Sequence, residues 1–191
     1  MDNQVMKPWK TTSRKTVFDH SKWLRVEEHT IELPDGRTLT GWPWIICPDY
    51  VNVVAIDEKA RFLCFRQTKY AVEGVSLAPA GGYLEPGEEP LATAQRELQE
   101  EMGYRSDHWH YLASLPVDGN HGAGTAHLFL ALHATPAGTT IRDDLEEQEL
   151  IHVSRTEIES ALKQGNIGVL SWATAFALAL LHLNNLSPEL R

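Results

Sequence analysis

The segment GGYLEPGEEPLATAQRELQEEMGY, residues 81–104, restricts the fold of this chain more than any other. Pro90 suits a first helical turn and Gly103 a C-terminal stop, so Glu89 to Met102 reads as a helix of about four turns, at ~3.6 residues per turn. Leu91, Ala94, Leu98 and Met102 then share an apolar stripe, with Glu97, Glu100 and Glu101 on a neighbouring face. The stripe must be covered by other elements. The carboxylates gain nothing from the helix itself, because like charges at these spacings cost roughly a few tenths of a kcal/mol per pair. A solvated acidic face is one reading of them, and a bound divalent cation is the other. Carboxylate oxygens and water suit hard Mg²⁺ or Mn²⁺ rather than zinc, and several carboxylates on one face can hold two or three ions.

Around this helix the pattern is rich in strands. The stretch TVFDHSKWLRVEEHTIELPDGRTLTGWPWII alternates apolar and polar residues on both sides of Pro34-Asp35-Gly36, which predicts a hairpin. VNVVAI and RFLCFRQ flank DEKA and predict a second, more apolar hairpin at the centre of a sheet. TKYAVEGVSLAPAGG reads as a loop leading into the acidic segment. HYLASLPV and TAHLFLALHA read as strands around the Gly-rich DGNHGAG, followed by ELIHVS and two helical segments, SRTEIESALKQG and VLSWATAFALALLHL. Strands mixed with segregated helices predict an α+β fold of the α/β/α sandwich type, with residues 1–48 as an N-terminal β extension and 49–191 as the main domain.

Charge narrows the partners. A formal net charge of −9 argues against nucleic acid or an anionic membrane, both of which reward basic patches. A phosphate-bearing substrate would need cations to mediate. Cys47 and Cys64 lack CxxC spacing, so neither a disulfide framework nor a zinc site is expected, and a reducing, cytoplasmic setting fits. The start MDNQVMKPWK has no apolar signal-peptide core, and ATAFALALLHL falls well short of the ~20 residues that span a bilayer. Trp9, Trp23, Trp42 and Trp44 crowd the N-terminal part and are read as core or interface. His108, His110, His121, His127 and His133 form no helical HxxxH pair and are not read as metal ligands. Asp143, Asp144, Glu146 and Glu147 read as a solvated charge run.

Spacing carries the strongest signal. From Gly82, five residues lead to Glu88, seven more lead to Arg96-Glu97, and Leu98, Glu100-Glu101, Gly103 and Tyr104 follow. This resembles the Nudix hydrolase signature, G-x5-E-x7-R-E-U-x-E-E-x-G-U with U apolar, departing only where Tyr104 replaces an aliphatic residue. The resemblance implies an α/β/α sandwich that hydrolyses, with Mg²⁺ or Mn²⁺, a nucleoside diphosphate linked to another moiety. It also implies Glu97 and Glu101 as metal ligands, Glu100 as a ligand or water-bridged partner, and the Gly81 carbonyl as a further ligand. Arg96 would steady the carboxylates, Glu88 would anchor the loop, and Gly82 would allow close backbone approach.

Weaker pieces, RQTKY, LAPAGGYLEPGE and EEQELIHV, resemble the branch of ADP-ribose and nucleoside-diphosphate-sugar pyrophosphatases. In that branch a basic residue faces the phosphates, a role that falls to Lys69. A general base comes from a loop before a late strand, which points to Glu149, then Glu147, with Glu100 as the remaining candidate. The loop PVDGNHGAGTAHLF lacks the branch's Ser-Glu, which favours another nucleotide sugar over ADP-ribose, and His121 is placed to close over substrate. A homodimer through the N-terminal extension is implied, with a small-molecule substrate as the partner. The competing functions are a noncanonical nucleoside triphosphate pyrophosphohydrolase and a non-catalytic Nudix-fold ligand sensor.

Overall fold

The computed structural model of the chain describes residues 6–138 and 147–186. These fall into two compact units, one running through Pro48 and adding Pro116–Thr125, the other formed by Asp49–Leu115 and the residues from Ala126 onward. Among the described residues no helix is long and apolar enough to cross a membrane. Asp143, Asp144 and Glu146 of the charge run lie outside the described residues.

The first unit is an antiparallel meander of β1 (Lys10–His20), β2 (Leu24–Glu32) and β3 (Thr38–Ile46). The hairpin expected around Pro34-Asp35-Gly36 is the β2–β3 connection, closed by Gly36 N–H donating to the Leu33 carbonyl at 2.9 Å. One strand more is present than the sequence pattern predicts. β1 turns into β2 through Ser21, at φ 55°, and every one of its residues is exposed, so it carries no buried face to imprint a period on the sequence. The tip between β8 (His108–Asp118) and β9 (Gly122–Pro136) completes the unit, where Ile45 N–H donates to the His121 carbonyl at 2.8 Å. Gly122 is required there: at φ 84°, a Cβ would stand 2.8 Å from Trp44 Cζ2.

The second unit is built on a mixed sheet in the order β9, β4 (Tyr50–Asp57), β5 (Phe62–Lys69) and β10 (Gln148–Val153). β4 runs parallel to β9 and antiparallel to β5, which is antiparallel to β10, and the two-residue β7 (Tyr104–Arg105) pairs antiparallel with the end of β9. Every residue from Val51 to Asp57 is buried, so both faces of β4 are covered. The helix α1 (Pro90–Met102) and the last helix α3 (Leu170–Asn185) both pack on it, with Leu98 and Phe176 wholly buried. Helix α2 (Arg155–Gln164) is closed by a capping box, in which Ser154 and Glu157 exchange side-chain and backbone hydrogen bonds. This mixed sheet with helices is the α+β class expected.

Two details differ from expectation. The segment read as a loop contains β6 (Val72–Ala78), paired with β5 through Gln67 and Ser76; Gly74, at φ 77°, interrupts its alternation. On α1, Leu91 is exposed, and Thr93 and Glu97 are buried beside Ala94, Leu98 and Met102. The buried face is rotated toward the carboxylates, because Glu97 sits under the backbone at Gly82.

Candidate active site

Helix α1 places its carboxylates around one cation of the chain itself. Arg96 Nε donates to Glu88 Oε1 at 3.0 Å and Nη2 to Glu88 Oε2 at 3.1 Å, while Nη1 reaches Glu97 Oε1 at 2.7 Å and Glu100 Oε2 at 2.9 Å. Nη2 also donates to the Tyr83 carbonyl at 3.3 Å. A guanidinium with five donors in a fixed fork can hold three carboxylates and a loop carbonyl at once, which an ammonium cannot. Its hydrogen bond to Glu88 is the main reason that the Glu88 pKa drops to about 2. Glu97 moves the other way: burial raises its pKa, Arg96 opposes that, and the neighbouring charges of Glu100 and Glu88 add to it.

The loop before α1 is held to the same helix. Gly81 N–H donates to Glu101 Oε2 at 2.8 Å. A Cβ on Gly82 would lie 2.6 Å from Glu97 Oε2, so glycine is what lets the backbone lie against that carboxylate. Gly81 is equally confined, since its Cβ would meet Asn52 Nδ2 at 2.6 Å. Among the described residues no three His, Cys, Asp or Glu side chains converge as a ready cage for an ion. The reason is visible in the same geometry, since Arg96 gathers Glu97 and Glu100, and Glu101 is turned to the Gly81 amide.

Gly81, Gly82 and Glu101 border a cavity of about 330 Å³ that Lys69 also lines. Of the residues expected from the sequence, these four therefore share one cavity, with Arg96, Glu97 and Glu100 braced behind its carboxylate end. Glu149 is not among the residues that line it. It lies within β10 rather than in a loop, its Oε2 is 2.7 Å from Arg66 Nη2, and with Glu147 it borders an adjoining depression that shares Gln67 and Gln148 with the cavity. The residue of β10 that does line the cavity is Gln148, as the alternation of a strand requires. His121 belongs to the first unit, where its ring stacks on Trp42 at 5.8 Å and Nδ1 lies 3.2 Å from Asp118 Oδ1.

The cavity also uses residues that the sequence reading passed over: Asn52, Gln67, Ser171 and Trp172. Asn52 carried a signal, being the single polar residue within VNVVAI. The others had none, because they meet only through the pairing of β5 and the docking of α3.

Residues 48–173 match the NUDIX domain, nearly two-thirds of the chain and all of the loop and helix just described. The chain belongs to the Nudix family. Residues 9–40 match a further family, the nucleoside diphosphate sugar hydrolase N-terminal domain. The chain is 27% identical over 175 residues to the ADP-ribose pyrophosphatase of Bacillus subtilis (strain 168), covering 91% of this chain and 92% of that protein. It is 24% identical over 189 residues to the ADP-sugar pyrophosphatase of Mus musculus, covering 88% and 86%. The crystal structure of an ADP compounds hydrolase superposes with a TM-score of 0.78 at 18% identity, over 94% of this chain and 96% of that one, and so shares its fold. The expectations of Nudix membership, of this fold and of a hydrolase in the pyrophosphatase class are met by these matches.

Proposed function

We propose that this Nudix protein is a divalent-metal-dependent pyrophosphatase that cleaves a nucleoside diphosphate linked to a sugar into a nucleoside monophosphate and a sugar phosphate. The observation that carries the reading is the joining of Gly81, Gly82, Glu101 and Lys69 around one cavity, with Arg96 bracing Glu97 and Glu100 behind it. The two relatives named for ADP-ribose and ADP-sugar, and the N-terminal match to sugar nucleotide hydrolases, favour a sugar as the second moiety.

The donor set fits a hard cation. Glu97, Glu100, Glu101 and the Gly81 carbonyl would hold Mg²⁺ or Mn²⁺, all through oxygen. Gly82 has the small side that such close approach of Glu97 demands. Such an ion, when bound, neutralises pyrophosphate charge and lowers the pKa of a coordinated water. The chain's own part is to orient and to neutralise. Arg96 offsets part of the burial that disfavours the Glu97 carboxylate, Lys69 adds positive charge where phosphate enters, and Glu149 or Glu147 takes the proton from the attacking water once released from its surface position. Glu100 is the remaining base.

The test is a hydrolysis screen of ADP-ribose, ADP-glucose, GDP-mannose and nucleoside triphosphates with Mg²⁺, with products identified by mass. Nucleoside monophosphate and sugar phosphate are expected. Release of pyrophosphate from triphosphates alone would replace this reading with the triphosphate pyrophosphohydrolase, and no turnover of any of them would leave the ligand sensor.

A further inference from the structure

Apart from Lys69 and Glu101, the cavity is lined by neutral residues, and Asn52 is the least expected of them. It is 4% exposed in the central strand β4, and its Oδ1 is buried with no hydrogen-bond partner among the described residues. A buried acceptor left unpaired costs about 1–3 kcal/mol. An apolar residue of similar volume would avoid that cost at the same place, so packing does not explain an asparagine. Its amide is wedged against Gly81, on the floor of the cavity beside the carboxylates.

The start of α3 contributes another part of the wall. Val169, the N-cap, makes no side-chain bond to the helix, and the first backbone bond is donated by Ala173 to the Val169 carbonyl at 3.0 Å. The amides of Leu170, Ser171 and Trp172 therefore have no acceptor within the helix, and Ser171 and Trp172 line the cavity. The wall of the cavity thus holds a buried acceptor without a donor and, at the start of α3, amides without an acceptor in the helix.

A hydroxyl satisfies both, because it donates to a carboxamide oxygen and accepts from a helix amide. An ionised phosphate oxygen only accepts, so it suits α3 but is repelled by Oδ1. An alkyl group satisfies neither. If the carboxamide turns about χ2, Nδ2 replaces Oδ1 and a hydroxyl still pairs with it. Gln67 and Ser171 line the same cavity and add further neutral donors and acceptors.

We propose that this part of the cavity is a polyol subsite that seats the sugar carried on the diphosphate, with Asn52 selecting a hydroxyl over an alkyl or anionic group. The inference rests on the pyrophosphatase reading for how the sugar arrives, and adds where it sits and what reads it.

Calorimetric titration of the full chain with ribose 5-phosphate, methyl phosphate and inorganic phosphate tests it, alongside hydrolysis of ADP-ribose and of ADP esterified with methanol on its terminal phosphate. Wild-type protein should bind ribose 5-phosphate about tenfold more tightly than either small phosphate, the worth of one or two hydrogen bonds. Asn52→Leu should erase that preference and lower the ratio of kcat/KM for ADP-ribose over the methyl ester by about tenfold, without lowering Tm. Equal binding of the three phosphates by the wild type, which requires no variant, would overturn the subsite. So would a substrate ratio that Asn52→Leu leaves unmoved. A protein that cleaves no sugar nucleotide yet prefers ribose 5-phosphate in an Asn52-dependent way would keep the subsite and remove the pyrophosphatase reading. A protein that cleaves both diphosphates alike would do the reverse.

Discussion

Arg96 and Glu88, eight residues apart, meet through two hydrogen bonds of 3.0 and 3.1 Å that tie the loop before α1 to the second turn of the helix. The same guanidinium holds Glu97 and Glu100, so the loop and the carboxylates share one brace. Lysine keeps the charge but cannot form the fork. Arg96→Lys should therefore destabilise the fold by about 1–3 kcal/mol, since charge-assisted hydrogen bonds are lost, and should also lower kcat. Thermal unfolding and a steady-state assay of the same preparation check this; a variant with unchanged Tm would mean that the brace adds nothing to stability.

Glu101 faces the cavity and accepts from the Gly81 amide at 2.8 Å. Glutamine keeps an oxygen for that amide and removes the charge. Glu101→Gln should leave Tm nearly unchanged while lowering kcat by at least ~10²-fold, as loss of a charge that holds a cation implies. Near-normal turnover at saturating Mg²⁺ would end its assignment as a metal ligand.

Glu149 is held by Arg66 at 2.7 Å, with both side chains 60% exposed, so the pair is weak and easily exchanged. If Glu149 is the general base, Glu149→Gln should lower kcat by about 10²–10⁴-fold at saturating metal, and Glu147→Gln much less. Retention of more than about a tenth of wild-type kcat by both variants would assign the proton to Glu100 or to the metals.

The exposed strand β1 carries Val17 and Phe18 at 47% and 50% exposure, and Trp9 and Trp23 stand nearby in the chain at 49% and 47%. Such apolar exposure along the first unit suits a second copy of the chain, and a two-fold pair would bury the same patch from both. Light scattering at micromolar concentration should give twice the chain mass of 21.5 kDa. Phe18→Asp should shift the population toward the monomer, and a wild-type monomer would refute the dimer.

Asp57 closes the β4–β5 turn. Burial would raise its pKa, but the Arg61 amide, the Arg61 side chain and the Lys59 amide outweigh it and hold the group below the ordinary carboxylate value. A depressed folded pKa stabilises the fold above the unfolded pKa of about 3.9, and that contribution fades as pH falls through the folded value. Asp57→Asn should cost about 1–3 kcal/mol at neutral pH and progressively less below about pH 4. Urea unfolding of both proteins at several pH values measures it; a difference that does not shrink in acid would point to packing instead.

Much of this protein was determined locally. The end of α1 at Gly103, the capping box of α2 and the rank of Glu97, Glu100 and Glu101 along one helix follow from residues a turn or less apart, so spacing alone carries them. The largely apolar run VNVVAI announced burial on both faces, whereas only the fold showed that its polar member, Asn52, lines the cavity. β1 left no such trace, because a strand exposed on both faces has no reason to alternate. What only the tertiary structure decided is which distant residues meet. Lys69 from β5, Gln148 from β10 and Ser171 from α3 share the cavity with Glu101, whereas Glu149, one residue from Gln148, faces Arg66 instead. Those outcomes depend on strand register and helix docking. A shift of one residue in register exchanges the two faces of a strand, and the burial that sets the register is spread over the whole core rather than written beside any one residue.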